Sequence, residues 1–199
     1  QTHSGASLTT GNNDLYPSAA FSNENGADSV YIAVERRVAA TEWEIRLITT
    51  SEIPSSSFQV SYVTDAIAGT QYERPAIAIL QRDFSLPQQI LVTCTKNDRA
   101  LYHASTDGGG TWSVDYVLGL TTQAVDFTSC NSDTLTAGGG YFVAAYVDLN
   151  GDSVTVRRGV LGNLGITQHK RNTYASTSVL APSCAIYKNG TQKYSALCY

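Results

Sequence analysis

The sequence predicts an all-β protein built from repeated four-stranded antiparallel units. Three observations carry that prediction. Short apolar runs recur at near-constant spacing: aligning Ala33, Thr93, Ala144 and Ala196 gives intervals of 60, 51 and 52 residues. The runs between them alternate apolar and polar residues, the period of a half-buried strand. Turn signals separate the runs, as at Asn25-Gly26, Asn150-Gly151 and Asn189-Gly190, and Asn-Gly is the strongest short hairpin signal. No stretch reads as an amphipathic helix. Self-similarity at this period is what the blades of a β-propeller, or another repeat array, impose.

Each unit opens with a short apolar run, at 16–21, 74–79, 126–130 and 181–186. A stronger apolar run follows, at 30–34, 90–94, 141–145 and 194–198. Third strands are expected at 42–48, 100–104 and 153–157, where alternation is clear. Fourth strands at 58–63, 113–117 and 165–168 are less regular. The resulting units span roughly 14–66, 70–120 and 122–172, with a partial unit at 176–199. About three and a half four-stranded blades are therefore expected, in a single β-propeller domain. Propellers close with four to eight blades, and open sheet edges invite pairing. The remaining part of a larger chain, or another copy in a homo-oligomer, is expected to cover the open edges.

Composition narrows the function classes. Of 199 residues, 42% are hydrophobic and 15% charged, against about 25% charged in an average globular protein. The net charge is −4 with only 4 lysines, and no basic patch is present. Nucleic acid is therefore not an expected partner. No apolar run approaches the roughly 20 residues of a membrane helix, so no insertion in a membrane is expected. The sequence starts at Gln1 and contains no Met, as a mature chain does after removal of a signal peptide. An extracellular or cell-surface location is the corresponding expectation. Four cysteines, Cys94, Cys130, Cys184 and Cys198, lack CxxC spacing, so zinc is not indicated. Buried thiols and disulfides both remain open. With Asn189-Gly190 as the turn, Cys184 would face Ser195, so a bond between units, such as Cys130 to Cys184, suits the pattern better than Cys184 to Cys198.

The most specific motif is Ser-Thr-Asp-Gly-Gly-Gly-Thr-Trp at 105–112. Its residue types have physical roles in a tight turn. Glycines permit positive φ, and Asp107 and Ser105 can accept from the turn's own N–H groups. Trp112 can bury a large surface while its N–H finds an acceptor. The octapeptide resembles the Asp-box of sialidase-type β-propellers and their non-enzymatic relatives, matching at Ser105, Asp107, Gly109, Thr111 and Trp112. The resemblance covers about 185 residues at repeat level and is specific at this octapeptide alone. It implies a propeller whose Asp-boxes lie opposite the ligand face. It also implies that the ligand face is formed by the loops leading into first strands and those joining second to third strands. Carried over by position, that face offers Tyr16, Arg36, Arg37, Glu73, Arg74 and Asp126, with Lys96, Asn97, Asp98, Asp148, Asn150 and Asp152 on the same set of loops.

The chemistry available on that face is incomplete for catalysis. A sialidase needs three arginines for a carboxylate, a tyrosine nucleophile with its glutamate, and an acid/base aspartate. The family's Phe-Arg-Ile-Pro is replaced here by Tyr72-Glu73-Arg74-Pro75, with Glu73 and Arg74 where Arg and Ile would stand. Asp126 with Glu73 is the one carboxylate pair available for other glycoside hydrolysis. Asp148, Asn150 and Asp152 have calcium-loop spacing, but Ser153 and Gly159 replace the glycine and glutamate such a loop needs. No cofactor is expected. His3, His103 and His169 share no metal or triad spacing, and Asn189-Gly190-Thr191 fits a glycosylation sequon. Tyr16, Tyr72 and Tyr174 are candidates to stack on sugars. The expectation is a secreted or cell-surface binding or assembly module for a glycan or protein. The alternatives are part of a sialidase-like glycoside hydrolase, and a structural subunit whose open blade another chain completes.

Overall fold

The computed structural model describes residues 14–24, 27–50, 58–65, 67–80, 87–118, 125–133, 141–148, 153–161, 163–170, 182–189 and 192–198. All secondary structure in these segments is β. Strands β1 (Asp14–Glu24), β2 (Ala27–Ala39), β3 (Glu42–Thr50) and β4 (Gln59–Tyr62) form one sheet in chain order. The second sheet is β5 (Tyr72–Leu80), β6 (Gln89–Lys96), β7 (Arg99–Ser105) and β8 (Tyr116–Val117). The third is β9 (Val125–Ser132), β10 (Phe142–Asp148), β11 (Ser153–Val160) and β12 (Asn163–Lys170). A hairpin of β13 (Ser183–Asn189) and β14 (Gln192–Cys198) follows. Every pairing within these sheets is antiparallel between sequence neighbours.

Consecutive sheets stack face to face, and the alternation of side chains explains how. In the second sheet Ile77, Ile79, Ile90, Val92, Cys94 and Leu101 pack with Ala33, Ile45 and Leu47 of the first sheet. Their neighbours Ala78, Leu80, Leu91, Ala100 and Tyr102 pack instead with Phe142, Ala144 and Tyr146 of the third. The next interface joins Val143, Ala145 and Val156 to Cys184 of the hairpin. A strand buried on both faces reads as a continuous apolar run. That is why 90–94 and 141–145 stood out in the sequence. Within the stack, first strands contact one another in order, β1 with β5, β5 with β9, and β9 with β13. Side chains tie their backbones together. Ser18 Oγ accepts from Ile77 N at 3.2 Å, Ser132 Oγ donates to Ile79 O, and Asn131 Nδ2 donates to Cys184 O at 3.3 Å.

Several sequence expectations need correction in detail. The fourth strand of the second sheet is only Tyr116–Val117, shorter than 113–117, because Ser113 is held beside Ala104 by the preceding turn. The fourth strand of the third sheet is longer than 165–168, since a two-residue connection lets Val160 pair directly with Asn163. In the last hairpin Asn189 pairs with Gln192, so Cys184 faces Leu197 and not Ser195. Cys198 is then the register partner of Ser183, and its side chain lies outside the described residues. Cys94, Cys130 and Cys184 are free thiols, so the Cys130–Cys184 bond is not formed. Cys184 Sγ instead accepts from Ser129 Oγ at 3.2 Å, and burial raises its thiol pKa.

Two-sided burial gives a test. Ile90 and Leu91 are sequence neighbours with 0% exposure, one in each interface. Ile90→Ala and Leu91→Ala are each expected to cost about 2–5 kcal/mol, read from denaturant unfolding of the single variants. A near-neutral result for either would mean that one face of β6 is not buried.

Candidate functional site

The site starts from a repeated irregularity of the first strands. In β1 the register jumps between Leu15 and Ser18, so Tyr16 and Pro17 lie opposite Val34 alone. In β5 it jumps between Glu73 and Ala76, so Arg74 and Pro75 lie opposite Cys94. In β9 Asp126 and Phe127 lie opposite Val147 in the same way. Each is a β-bulge, two residues against one, which bends the strand and re-aims a side chain. The same position of three successive sheets is thus occupied by Tyr16, Arg74 and Asp126. The Asp126 side chain lies outside the described residues.

The backbone at these bulges is unusual. Tyr16 has φ 47° and Arg74 has φ 52°, both left-handed and both just before proline. Residues other than Gly, Asn and Asp rarely adopt that region, at about 1–2 kcal/mol each. Proline also disfavours compact conformations in the residue before it. Such outliers persist only where their surroundings hold them. At Arg74 the holder is Glu35, on β2 of the neighbouring sheet. Its side chain is fully buried, and Oε2 accepts the Arg74 backbone N–H at 3.1 Å. The other oxygen, Oε1, accepts from Arg37 Nε at 3.3 Å. Arg37 lies over the Trp43 ring, 4.1 Å from its centroid, and the Arg74 guanidinium lies 5.7 Å from that of Tyr16. Glu73 completes the group. Its carboxyl pKa is raised, first by burial and then by the charge of Glu35, against the opposing effect of Arg74.

The structure therefore gathers Tyr16, Arg37, Glu73 and Arg74 around a carboxylate that the sequence reading did not select. Glu35 had a signal: an acidic residue directly after the apolar run 30–34, at an inward-facing position of the alternation. Arg36 and Arg37 lie inside β2 and not in the following turn, because β2 continues to Ala39. Neighbours on a strand point to opposite faces, so the two arginines do not converge. Arg36 stands across from Glu44, and Arg37 across from Trp43. Lys96 ends β6, while Asn97 and Asp98 make the two-residue turn to β7 with φ 46° and 62°. Asn97 also binds the start of β5, accepting from Gln71 N at 3.0 Å and donating its own N–H to Gln71 O at 3.1 Å. Asn150, Asp152 and the side chain of Asp148 lie outside the described residues.

The glycine-rich turn after β7 closes as its residue types require. Ser105 Oγ accepts from Gly109 N at 2.8 Å and donates to Asp107 Oδ1 at 2.8 Å. Asp107 accepts from Thr111 N at 2.9 Å and Thr111 Oγ1 at 2.7 Å. These bonds, Thr111's first, lower the Asp107 pKa to about 2. Gly109 has φ 96°, and a Cβ there would sit 2.6 Å from Leu47 Cδ2 of the first sheet. Trp112 packs on the core between the sheets, but its Nε1–H is buried without an acceptor, contrary to expectation. No protein-family model matches this chain, and no curated protein is significantly similar to it.

Glu35→Ala removes the acceptor of a strained backbone N–H, and about 2–3 kcal/mol of stability is expected to go with it. Glu35→Gln keeps an acceptor and should lose less, as measured by urea unfolding at neutral pH. Equal losses for both would place the stabilisation in the Arg37 ion pair. Asp107 has a different signature. Its lowered pKa means that its contribution is complete above about 4 and is lost as pH falls through about 2. The Tm gap between the wild-type protein and Asp107→Asn should therefore narrow over that interval. A gap independent of pH would show that ionisation of Asp107 does not support the turn.

Proposed function

We propose that this chain forms blades of an Asp-box β-propeller and acts as a secreted or cell-surface binding module for a glycan or protein. One observation carries the reading: the bulge that recurs at the same place in β1, β5 and β9, with Tyr16, Arg74 and Asp126 in it. Strain repeated at one edge of successive sheets is a feature of ligand-facing positions, where bulges re-aim side chains. Four-stranded meanders stacked face to face through their first strands are what propeller blades require. The Ser105–Trp112 turn supports the same assignment through its resemblance. Arg37 and Arg74, beside the Tyr16 and Trp43 rings, suit a ligand that carries both negative charge and a flat apolar face.

A hydrolase related to the sialidases is the second reading. The raised pKa of Glu73, beside Glu35, favours it, since a general acid needs a carboxyl held protonated. The opposite facing of Arg36 and Arg37 opposes it, because a carboxylate clamp needs arginines that converge. Glycan-array and pull-down binding with the wild-type chain, lost in Tyr16→Ala and Arg74→Ala variants of unchanged Tm, is the expected outcome. Empty results in both assays would end the binding reading. Turnover of a fluorogenic sialoside, abolished in Glu73→Gln, would replace it with the hydrolase.

A further inference from the structure

A second polar centre lies between the first two sheets. Tyr72 on β5 and His103 on β7 project from the second sheet, and Asp115 stands just before β8. Tyr72 Oη donates to Asp115 Oδ1 at 3.1 Å, and Lys96 Nζ donates to Asp115 Oδ2. Tyr72 and His103 meet edge to face at 6.0 Å between centroids. Tyr72, His103 and Asp115 line a cavity of about 340 Å³ together with Tyr62, Asp65 and Trp112. A volume of this size is within the range of small-ligand sites, about 300–1,000 Å³.

The hydrogen-bond inventory of the cavity wall is unfinished. His103 is 2% exposed, and its Nδ1 lies 3.4 Å from the Ser113 carbonyl oxygen. A carbonyl can only accept, so Nδ1 carries the proton and Nε2 offers a lone pair in the neutral ring. Burial lowers the His103 pKa and favours that neutral form. Nε2 has no hydrogen-bond partner, and Asp115 Oδ1 stands 3.6 Å away, too far for a bond. Two acceptors side by side call for a donor between them. Trp112 lines the same cavity, and its buried Nε1–H has no acceptor. An unmatched acceptor of this burial is destabilising unless a ligand or water completes it.

We propose that this cavity is a binding site for a neutral sugar ring, free or at the end of a glycan. A ring hydroxyl donates into the gap between His103 Nε2 and Asp115 Oδ1. A second hydroxyl oxygen accepts from Trp112 Nε1. Tyr62 and Trp112 supply aromatic walls for the apolar face of the ring. Lys96 already compensates the Asp115 charge, so the site does not call for a cationic ligand. Asp65 in the wall disfavours an anionic one.

The test is titration of the isotope-labelled chain with glucose, galactose, mannose and N-acetylglucosamine at millimolar concentration, followed by NMR. At least one sugar should shift the Trp112 indole and His103 ring signals saturably. His103→Phe keeps the ring and removes the acceptor, and should weaken binding about tenfold or more. If that variant does not fold, Asp115→Asn changes one acceptor oxygen to a donor and serves the same purpose. Binding of the methyl glycoside as well as the free sugar would mark a glycan terminus, and loss on methylation a free sugar. Either supports the cavity as a sugar site. No saturable shift with any of the four sugars, shifts confined to residues around Tyr16 and Arg74, or wild-type binding by a folded His103→Phe would overturn the proposal. The last two results would leave the binding role of the bulged edge intact.

Discussion

Burial of both faces of a sheet is the constraint on which the rest of this structure depends. A sheet whose two faces are apolar cannot stand at a surface. It must have a neighbour on each side, and the second sheet has one through the Ile90–Val92 face and another through the Leu91–Tyr102 face. Stacking then fixes which edges lie together. First strands become neighbours of first strands, and whatever happens at one of them is presented beside the same feature of the next. The bulges at Tyr16, Arg74 and Asp126 acquire meaning from that arrangement. One bulge is a local bend, whereas three in register along a stack form an edge.

The bulges also show how strain in one sheet is offset by another. Arg74 holds a left-handed backbone, and the group that stabilises it is the Glu35 carboxylate from the sheet before. A buried carboxylate is costly unless its oxygens are matched. Here one oxygen takes the strained N–H and the other takes Arg37. The burial of Glu35 and the conformation of Arg74 are therefore one arrangement, and neither is expected without the other. It also orders the site, since Arg37 cannot leave Glu35 without exposing an unpaired charge to the interior.

Sheet order and strand identity were legible because their signal is periodic. Two-faced burial writes continuous apolar runs, one-faced burial writes alternation, and both recur with the spacing of the units. Strand ends were less legible. Arg36 and Arg37 look like turn residues because they are charged, yet β2 continues through them, with Arg36 opposite Glu44 on β3 and Arg37 paired to Glu35 on its own strand. The bulges left a partial trace, proline after Tyr16 and Arg74, but the Arg74 backbone is held by the hydrogen bond it donates to Glu35, 39 positions away. Glu35 reads as a solvated carboxylate in composition, where its partners are not visible. Asp115 and His103 escaped for a similar reason: their proximity comes from a turn that folds residues 106–115 back along β7, and no spacing rule encodes that path.

That turn links the two candidate sites. Gly109 has no side chain because Leu47 of the first sheet presses against it, and Trp112 packs into the same interface. The Ser105 and Asp107 bonds hold the turn's backbone at this contact. The turn thereby sets how closely the first and second sheets approach at their outer edge. The cavity beside Trp112 is bounded by that approach, with Tyr62 on one sheet and His103 and Asp115 on the other. At the far end of the same interface, Glu35 meets Arg74. Besides the contact proposed for Trp112, the motif can therefore govern ligand binding through the spacing of the sheets it joins. Its fixed sequence is required by packing geometry, whichever ligand the neighbouring surfaces recognise.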